Sequence, residues 1–155
     1  MNIIKYPDPI LKTICEEVKL PLSKEDAELL DNLYKTMKEV ETAVGLAAPQ
    51  VGVPKRMFVI RLVSDGKCLF NCKMVNPKII PTGPKTYVVP GGEGCLSEPD
   101  INIEVPRYKT IILLGYDAIK KQNVHYQLNG YLAAIAQHEM DHLNGILLHD
   151  YCNKE

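Results

Sequence analysis

The stretch Gln137-His138-Glu139-Met140-Asp141-His142 carries two imidazoles four positions apart, with a carboxylate directly after the first. On an α-helix those two positions lie about 40° apart around the axis, so both rings can reach one ion. Glu139 would then lie beside the ion without binding it. This arrangement suits a Lewis acid that holds a water beside a base that takes its proton. The alternative is a helix that only happens to carry two histidines on a partly buried face.

The segments before this stretch predict its surroundings. Asn129-Gly130 offers a cap for a short helix over residues 131–142, and Gly145 stands where that helix would stop. Upstream, four segments are rich in β-branched and aromatic residues and are bounded by Gly, Pro, Asp and Asn. They predict mostly antiparallel strands at residues 57–63, 68–80 with Pro77 interrupting, 110–116 and 123–128.

An amphipathic helix is predicted near the N-terminus, over residues 24–41. Ser23 and Asp26 form its start signal, and apolar residues then recur at spacings of three and four. Strands gathered between two helices, without β-α-β alternation, indicate an α+β fold. We therefore expect mostly antiparallel strands around a central C-terminal helix that carries HExxH, with an N-terminal amphipathic helix.

Length and charge narrow the classes of protein. With 155 residues, the chain fits one domain over residues 1–155. Its 18 basic and 19 acidic side chains give a formal charge of -1, which indicates neither a nucleic-acid footprint nor a polybasic membrane patch. Residues 1–7 lack the apolar run of a signal peptide, and no segment approaches the roughly 18 apolar residues of a membrane span. A cytoplasmic location is expected.

Two histidines leave a catalytic metal centre short of its third protein ligand. A downstream glutamate is disfavoured, because the only one after His142 is the terminal Glu155. The third histidine of HExxHxxGxxH would also arrive one residue late, as His149. Cys95 is the remaining candidate, because it lies in Gly91-Gly92-Glu93-Gly94-Cys95-Leu96-Ser97, where glycines let the backbone approach a ligand closely. A Cys/His/His set follows.

The other four cysteines are interpreted as small buried hydrophobic residues. They are Cys15, Cys68, Cys72 and Cys152. Disulfides are not expected, since five cysteines in a chain without an export signal indicate reduced thiols. Three rival functions remain open: a blue-copper electron carrier, a structural zinc site closed by His149 or Cys152, and a general metallopeptidase.

Three separated stretches together resemble one family. They are Gly45-Leu46-Ala47-Ala48-Pro49-Gln50, Glu93-Gly94-Cys95-Leu96-Ser97 and Gln137-His138-Glu139-Met140-Asp141-His142. The chain resembles the peptide deformylases, which remove the N-formyl group from nascent bacterial polypeptides. The resemblance extends nearly end to end, through Tyr6-Pro7-Asp8-Pro9-Ile10-Leu11 and Val105-Pro106-Arg107 in the same order.

The resemblance implies a role for each matched residue. Cys95, His138 and His142 would hold one divalent ion, usually Fe(II), which zinc, nickel or cobalt can replace. Glu139 would be the general base, and the Gln50 side-chain amide and the Leu96 backbone N–H would stabilise the oxyanion. Peptide contacts and a pocket for the methionine side chain would come from Val44, Gly45, Gly94, Tyr131, Ala134 and Ile135.

The implied partners are N-formylated nascent peptides, met transiently near the ribosome, with no direct contact to nucleic acid or membrane. Arg107, Glu93 and Asp141 are expected to form a buried charge cluster that orients the ligands. Two positions depart from the family. Ala43 replaces a frequent glycine, which would strain the loop if φ there is positive, and Asn102 replaces a frequent arginine.

Overall fold

A computed structural model describes residues 1–152 of the chain, so Glu155 lies outside the described residues. The helices are α1 (Lys24–Lys38), α2 (Gly130–Leu143) and α3 (Leu148–Cys152), with short 3₁₀ helices at Pro9–Lys12 and Ala48–Val51. The strands are β1 (Gly45–Ala47), β2 (Met57–Ser64), β3 (Lys67–Pro81), β4 (Glu93–Cys95), β5 (Glu98–Ile103), β6 (Thr110–Asp117) and β7 (Gln122–Asn129).

The main sheet has five antiparallel strands in the order β1-β2-β3-β6-β7, and β4 pairs with β5 in a second, two-stranded sheet. Helix α2 packs on the main sheet, where Ala133, Ile135 and Ala136 join a core that contains Phe58 and Ile111. Helix α1 covers a second apolar cluster through Leu30, Leu33 and Met37. The predicted α+β fold, with antiparallel strands and a C-terminal helix, is confirmed.

The predicted elements agree closely with the observed ones. The four predicted strands and the C-terminal helix differ from the structure by one residue at one or both ends, whereas helix α1 ends three residues before its predicted limit. The Ser23 hydroxyl accepts a hydrogen bond from Asp26 N at 3.1 Å, as a capping residue does. Strands β1, β4 and β5 were not predicted, because two have only three residues and all lack a clear alternation of polar and apolar side chains.

Strand β3 continues through the proline that was expected to interrupt it, by means of a bulge. The register against β6 shifts between Val75 and Lys78, and Asn76 has a positive φ of 51°. Gly115 lies opposite on β6, with a φ of 150°. A Cβ atom there would lie 3.0 Å from Val75 O and 3.2 Å from Pro77 Cα. Only glycine therefore fits beside this bulge.

Helix α2 stops just before Gly145, as predicted, but its start is held differently from expectation. Asn129 precedes the helix as predicted, but its side chain makes no capping hydrogen bond; Gly130 N instead donates to Lys109 O at 2.8 Å. At the other end Gly145 adopts a φ of 71°, and a Cβ there would lie 2.5 Å from Lys12 O. The end of α2 is thus held against the N-terminal segment.

The prediction for the cysteines is half wrong. Cys15 and Cys72 are buried, but Cys68 and Cys152 are exposed. Cys68 shares a strand with Cys72 yet lies next to the β2–β3 hairpin turn, beyond the edge of the core, and Cys152 is the last residue of α3. All five thiols are free, as expected. Within residues 1–152, no helix combines the length and the apolar character that crossing a membrane requires.

We expect Gly115→Ala to lower the free energy of unfolding by about 2–4 kcal/mol, because the added methyl group meets backbone atoms and the φ is unfavourable for alanine. Gly66→Ala is the matched control. Gly66 also has a positive φ, but nothing lies within 4 Å of the point where its Cβ would stand, so about 1 kcal/mol is expected. Urea unfolding measures the free energy of unfolding of both variants. Equal losses of stability in Gly115→Ala and Gly66→Ala would show that Gly115 is not crowded by the bulge.

Candidate metal centre

Three potential ligands converge from two distant parts of the chain. Cys95 ends β4, whereas His138 and His142 lie one turn apart on α2. One potential ligand atom from each residue lies within 4.8 Å of the other two, and Cys95 Sγ is 3.3 Å from His142 Nε2. Among the described residues, Cys95, His138 and His142 form the group that could hold a metal ion. Glu139 is not a member of this group.

The geometry of this group fits a tetrahedral divalent ion. Metal–sulfur distances of about 2.3 Å and metal–nitrogen distances of about 2.0 Å separate the two ligand atoms by roughly 3.5 Å. The measured separation of Cys95 Sγ and His142 Nε2 is close to that value. Three protein ligands leave a fourth position for water or substrate, as in catalytic centres.

A chain of buried charges fixes the orientation of His138. Its Nδ1 lies 3.0 Å from Glu93 Oε1, so a proton on Nδ1 leaves Nε2 for the ion. Arg107 donates to both Glu93 oxygens, at 2.9 and 2.7 Å, and to Asp141 Oδ2 at 2.7 Å. Tyr151 also donates to Asp141 Oδ2, at 2.8 Å. The predicted charge cluster of Arg107, Glu93 and Asp141 is therefore present.

The pKa values of the ligands follow from burial and from these neighbours. Burial and the nearby charges of His138 and Arg107 hold the pKa of His142 well below its ordinary value, so its ring is neutral and has a lone pair to offer. Burial also lowers the pKa of His138, but hydrogen bonds to Cys95 and Glu93 outweigh it and raise that pKa. Burial raises the pKa of the Cys95 thiol, and a bound cation would restore the thiolate.

Glu139 is a buried carboxyl group beside the ligands. Its side chain is enclosed, and Oε1 has no hydrogen-bond partner among the described residues. Burial raises the pKa of Glu139 to about 7, although the positive charge of His138 opposes the shift. A carboxyl group with that pKa can both accept and return a proton near neutral pH.

Gly45 leaves the space that Glu139 occupies. A Cβ atom at Gly45 would lie 2.6 Å from Glu139 Oε2 and 3.0 Å from Glu139 Cδ. The strand β1 and the helix α2 approach each other this closely only because position 45 has no side chain. From the sequence, Gly45 was expected only to contact the peptide, and no local sequence signal reveals this second role.

Gln50 is buried, although its Ala-Ala-Pro-Gln turn would ordinarily be solvated. Its Oε1 accepts from Ala47 N at 2.9 Å, and its Nε2 donates to Ser97 Oγ at 3.1 Å and to Cys95 Sγ at 3.6 Å. The amide is thus adjacent to the sulfur and held from both ends. Ser97, which is fully buried, was not predicted as a functional residue.

A cavity of about 310 Å³ opens beside the ligands. Every residue predicted to contact the peptide lines this cavity, namely Val44, Gly45, Gly94, Tyr131, Ala134 and Ile135. Cys95, Leu96, His138 and Glu139 line it as well. Strand β1 is an edge of the main sheet, and β4 pairs only with β5 among the described strands. Both strands contribute to the cavity wall, so an extended peptide can pair with exposed strand edges there.

The two departures from the family have simple local consequences. Ala43 is not among the residues with positive φ, so alanine causes no backbone strain there. Asn102 packs against Gly92, whose Cβ, if present, would lie 2.1 Å from Asn102 Oδ1. Gly92 lines the cavity, so Asn102 supports the cavity wall from the outside.

The residues needed by the structural-zinc alternative lie apart from the three ligands. The His149 ring stacks on the Tyr6 ring, with 3.7 Å between the ring centroids, and His149 Nδ1 lies 2.7 Å from Glu98 Oε1. Cys152 is exposed. Neither residue belongs to the group of three, so no fourth protein ligand among the described residues closes the coordination sphere.

Comparisons with known proteins agree with this geometry. A sequence model of the family described as polypeptide deformylase matches residues 1–155. Peptide deformylase 2 of Bacillus cereus is 37% identical, over 99% of this chain and 90% of its own length. The crystal structure of a probable peptide deformylase from Synechococcus phage S-SSM7 superimposes with a TM-score of 0.83 at 38% identity, covering 97% of this chain and 99% of the other.

A more distant structure preserves the same fold. The peptide deformylase of Ehrlichia chaffeensis superimposes with a TM-score of 0.87 at 29% identity, covering 99% of this chain and 88% of its own. The family match extends over the whole sequence and includes the three stretches that carry Gln50, Cys95 and the two histidines. The chain therefore belongs to the polypeptide deformylase family of enzymes.

Proposed function

We propose that this enzyme is a metal-dependent hydrolase that removes the N-formyl group from the N-terminal formylmethionine of nascent polypeptides and releases formate. The observation that carries the proposal is the convergence of Cys95, His138 and His142 beside the buried Glu139, at the wall of an open cavity. Its place of action would be the cytoplasm, transiently near the ribosome.

Cys95, His138 and His142 would hold the ion, for which we propose Fe(II) natively, with zinc, nickel or cobalt as substitutes. One thiolate and two imidazoles suit each of these metals. When bound, a divalent ion acts as a Lewis acid, which lowers the pKa of a water from about 16 towards 7 and polarises the formyl oxygen. The thiolate reduces the net charge of the site and exposes it to oxidation.

Glu139 would move the proton. Its carboxylate would take a proton from the attacking water and return it to the amine that leaves as the formyl C–N bond breaks. Glu139 lines the cavity, and its buried Oε1 has no hydrogen-bond partner among the described residues. Gly45 leaves the space that the carboxylate needs in this position.

Gln50 and Leu96 would stabilise the negative charge on the formyl oxygen. The Gln50 amide is held next to Cys95 Sγ, so one of its N–H groups would be directed to an oxygen that binds beside the ligands. Leu96 directly follows the Cys95 ligand, and its backbone N–H is fixed relative to that residue. A preorganised donor of this kind is worth about 3–4 kcal/mol in the transition state.

The substrate would bind as an added strand. Backbone groups of Val44, Gly45 and Gly94 pair with the peptide without reading its sequence, and the methionine side chain enters the apolar pocket formed by Tyr131, Ala134 and Ile135. Backbone pairing with selection at one side chain suits an enzyme that meets many different nascent chains.

The direct test is formate release by protein purified without oxygen and analysed for its metal. We expect turnover of formyl-Met-Ala and no cleavage of internal bonds in an unformylated peptide. Hydrolysis of internal bonds would favour a general metallopeptidase. An intense visible absorption from bound copper, without turnover, would favour an electron carrier.

Glu139→Ala should retain the metal and lower kcat about 100- to 10,000-fold, because it removes the proton acceptor but no ligand. His138→Ala is the comparison variant, and it should lose both metal and turnover. Elemental analysis beside the formate assay separates the two effects. Substantial turnover by Glu139→Ala would remove Glu139 from the mechanism.

Gly45→Ala should lower kcat about 100-fold with the metal retained, because the new methyl group displaces the Glu139 carboxylate. Gly83→Ala is the matched control, since the atom nearest to a Cβ there is Thr110 Oγ1 at 3.5 Å and its φ is not positive. Unchanged kcat in Gly45→Ala would show that the carboxylate does not need the space that Gly45 leaves.

Arg107→Lys should weaken metal binding about 10- to 100-fold, because one ammonium group cannot replace the guanidinium that bonds both Glu93 oxygens and Asp141. Titration with a chelator measures the change. Lys109→Arg, an exposed substitution two residues away, is the control. Equal metal affinity in both variants would limit Arg107 to a role in folding.

A further inference from the structure

The segment Ile4-Lys5-Tyr6, here called the N-terminal clasp, lies between the two loops that carry the proposed oxyanion donors. Ile4 N donates to Gln50 O at 2.7 Å, and Tyr6 N donates to Ser97 O at 2.8 Å. Gln50 belongs to the 3₁₀ helix Ala48–Val51, and Ser97 belongs to the turn between β4 and β5. Two backbone hydrogen bonds therefore join one short segment to both loops.

Side chains of the clasp strengthen the same connections. Lys5 Nζ donates to Leu96 O at 2.9 Å. The Ile4 side chain lies against Gly52, at the end of the 3₁₀ helix. A Cβ atom added at Gly52 would lie 3.2 Å from Ile4 Cδ1. Tyr6 stacks on His149, which is itself held by the buried Glu98 directly after Ser97. Each residue of the clasp thus has a contact at one of the two loops or next to it.

The two loops need such a connection because no sheet joins them. Strand β1, which leads into Ala48–Val51, belongs to the main sheet, whereas β4 belongs to the two-stranded sheet. The side-chain bond from Gln50 Nε2 to Ser97 Oγ, at 3.1 Å, is the direct link between them. This link is one side-chain hydrogen bond, made by an amide that would also have to donate to the formyl oxygen in the proposed reaction. A flexible side chain of this kind does not by itself fix the spacing of the two loops.

We infer that the N-terminal clasp is a positioning element for the reaction, which fixes the distance between the Gln50 amide and the Leu96 N–H through the backbone bonds of Ile4 and Tyr6. The inference rests on the proposed function, in which these two groups are the oxyanion donors. Donors act strongly only when they are preorganised around the developing charge, and errors of about 1 Å are costly. Loosening the clasp would therefore affect the transition state more than the bound substrate.

Substitutions at Lys5 test the side-chain contact. Lys5→Met should lower kcat for formyl-Met-Ala about 2- to 10-fold, the range expected for one hydrogen bond, with KM and metal content unchanged. Lys5→Arg keeps a donor and should retain most of the kcat. Lys19→Met, which replaces another exposed lysine outside the clasp, should behave as the unmodified chain.

Replacement of single amides by esters tests the backbone bonds without changing a side chain. A synthetic 1–14 segment can be joined at Cys15 to residues 15–155 by native chemical ligation, which preserves the full chain. An ester in place of the Ile4 N–H removes the bond to Gln50 O. An ester at Lys5, whose N–H has no backbone acceptor among residues 1–152, is the matched control.

The ester at Ile4 should lower kcat about 2- to 10-fold relative to the ester at Lys5, with equal KM, metal content and folded fraction. Equal kcat values for the two esters, or a loss of kcat that matches a loss of folded protein, would overturn the clasp as a positioning element. The unmodified chain is assayed in parallel. If it released no formate, the proposed function itself would fail, an outcome distinct from a clasp that changes nothing in an active enzyme.

Discussion

The metal centre depends on one buried carboxylate, that of Glu93. Burial alone would raise its pKa, but hydrogen bonds from Arg107 and His138 outweigh burial and hold the pKa below its ordinary value. The ionised group can then accept from Arg107 on one side and orient the His138 ring on the other. A buried charge is tolerated only with such partners, because each ion removed from water costs several kcal/mol. The partners that allow Glu93 to be buried thus include His138, and the same hydrogen bond orients this candidate ligand.

The rest of the site is built by close approach of elements that are far apart in sequence. Helix α2 supplies both imidazoles and the Glu139 carboxylate, the edge strand β1 reaches that carboxylate at Gly45, and β4 brings Cys95 from the smaller sheet. These contacts require small residues at the crossing points, because packed interiors leave no room for an added methyl group. Gly45 of β1 and Gly92 before β4 therefore leave space for the side chains of Glu139 and Asn102.

A helix and two loops hold the proposed catalytic groups in different ways. The side chains on α2 are fixed by the helix itself and by its contacts with the main sheet. The Gln50 and Leu96 groups lie on loops, and the spacing between those loops depends on the hydrogen bonds of Ile4 and Tyr6. In the proposed mechanism, the precise placement of the two oxyanion donors would thus depend on several segments together, including residues 4–6.

The sequence by itself determined the α+β fold, the bounds of α2 and of the four long strands, and the identity of the candidate ligands. The helices and strands follow from local periodicity and turn residues, and the two histidines follow from their spacing within one segment. Cys95 follows from the elimination of other ligands and from its glycine-rich surroundings. Only the tertiary structure decided that Cys68 is exposed, that β3 passes Pro77 through a bulge, and that Gly45 makes room for Glu139. Those outcomes depend on which atoms meet across the fold, and long-range contacts leave no periodic signature in the chain.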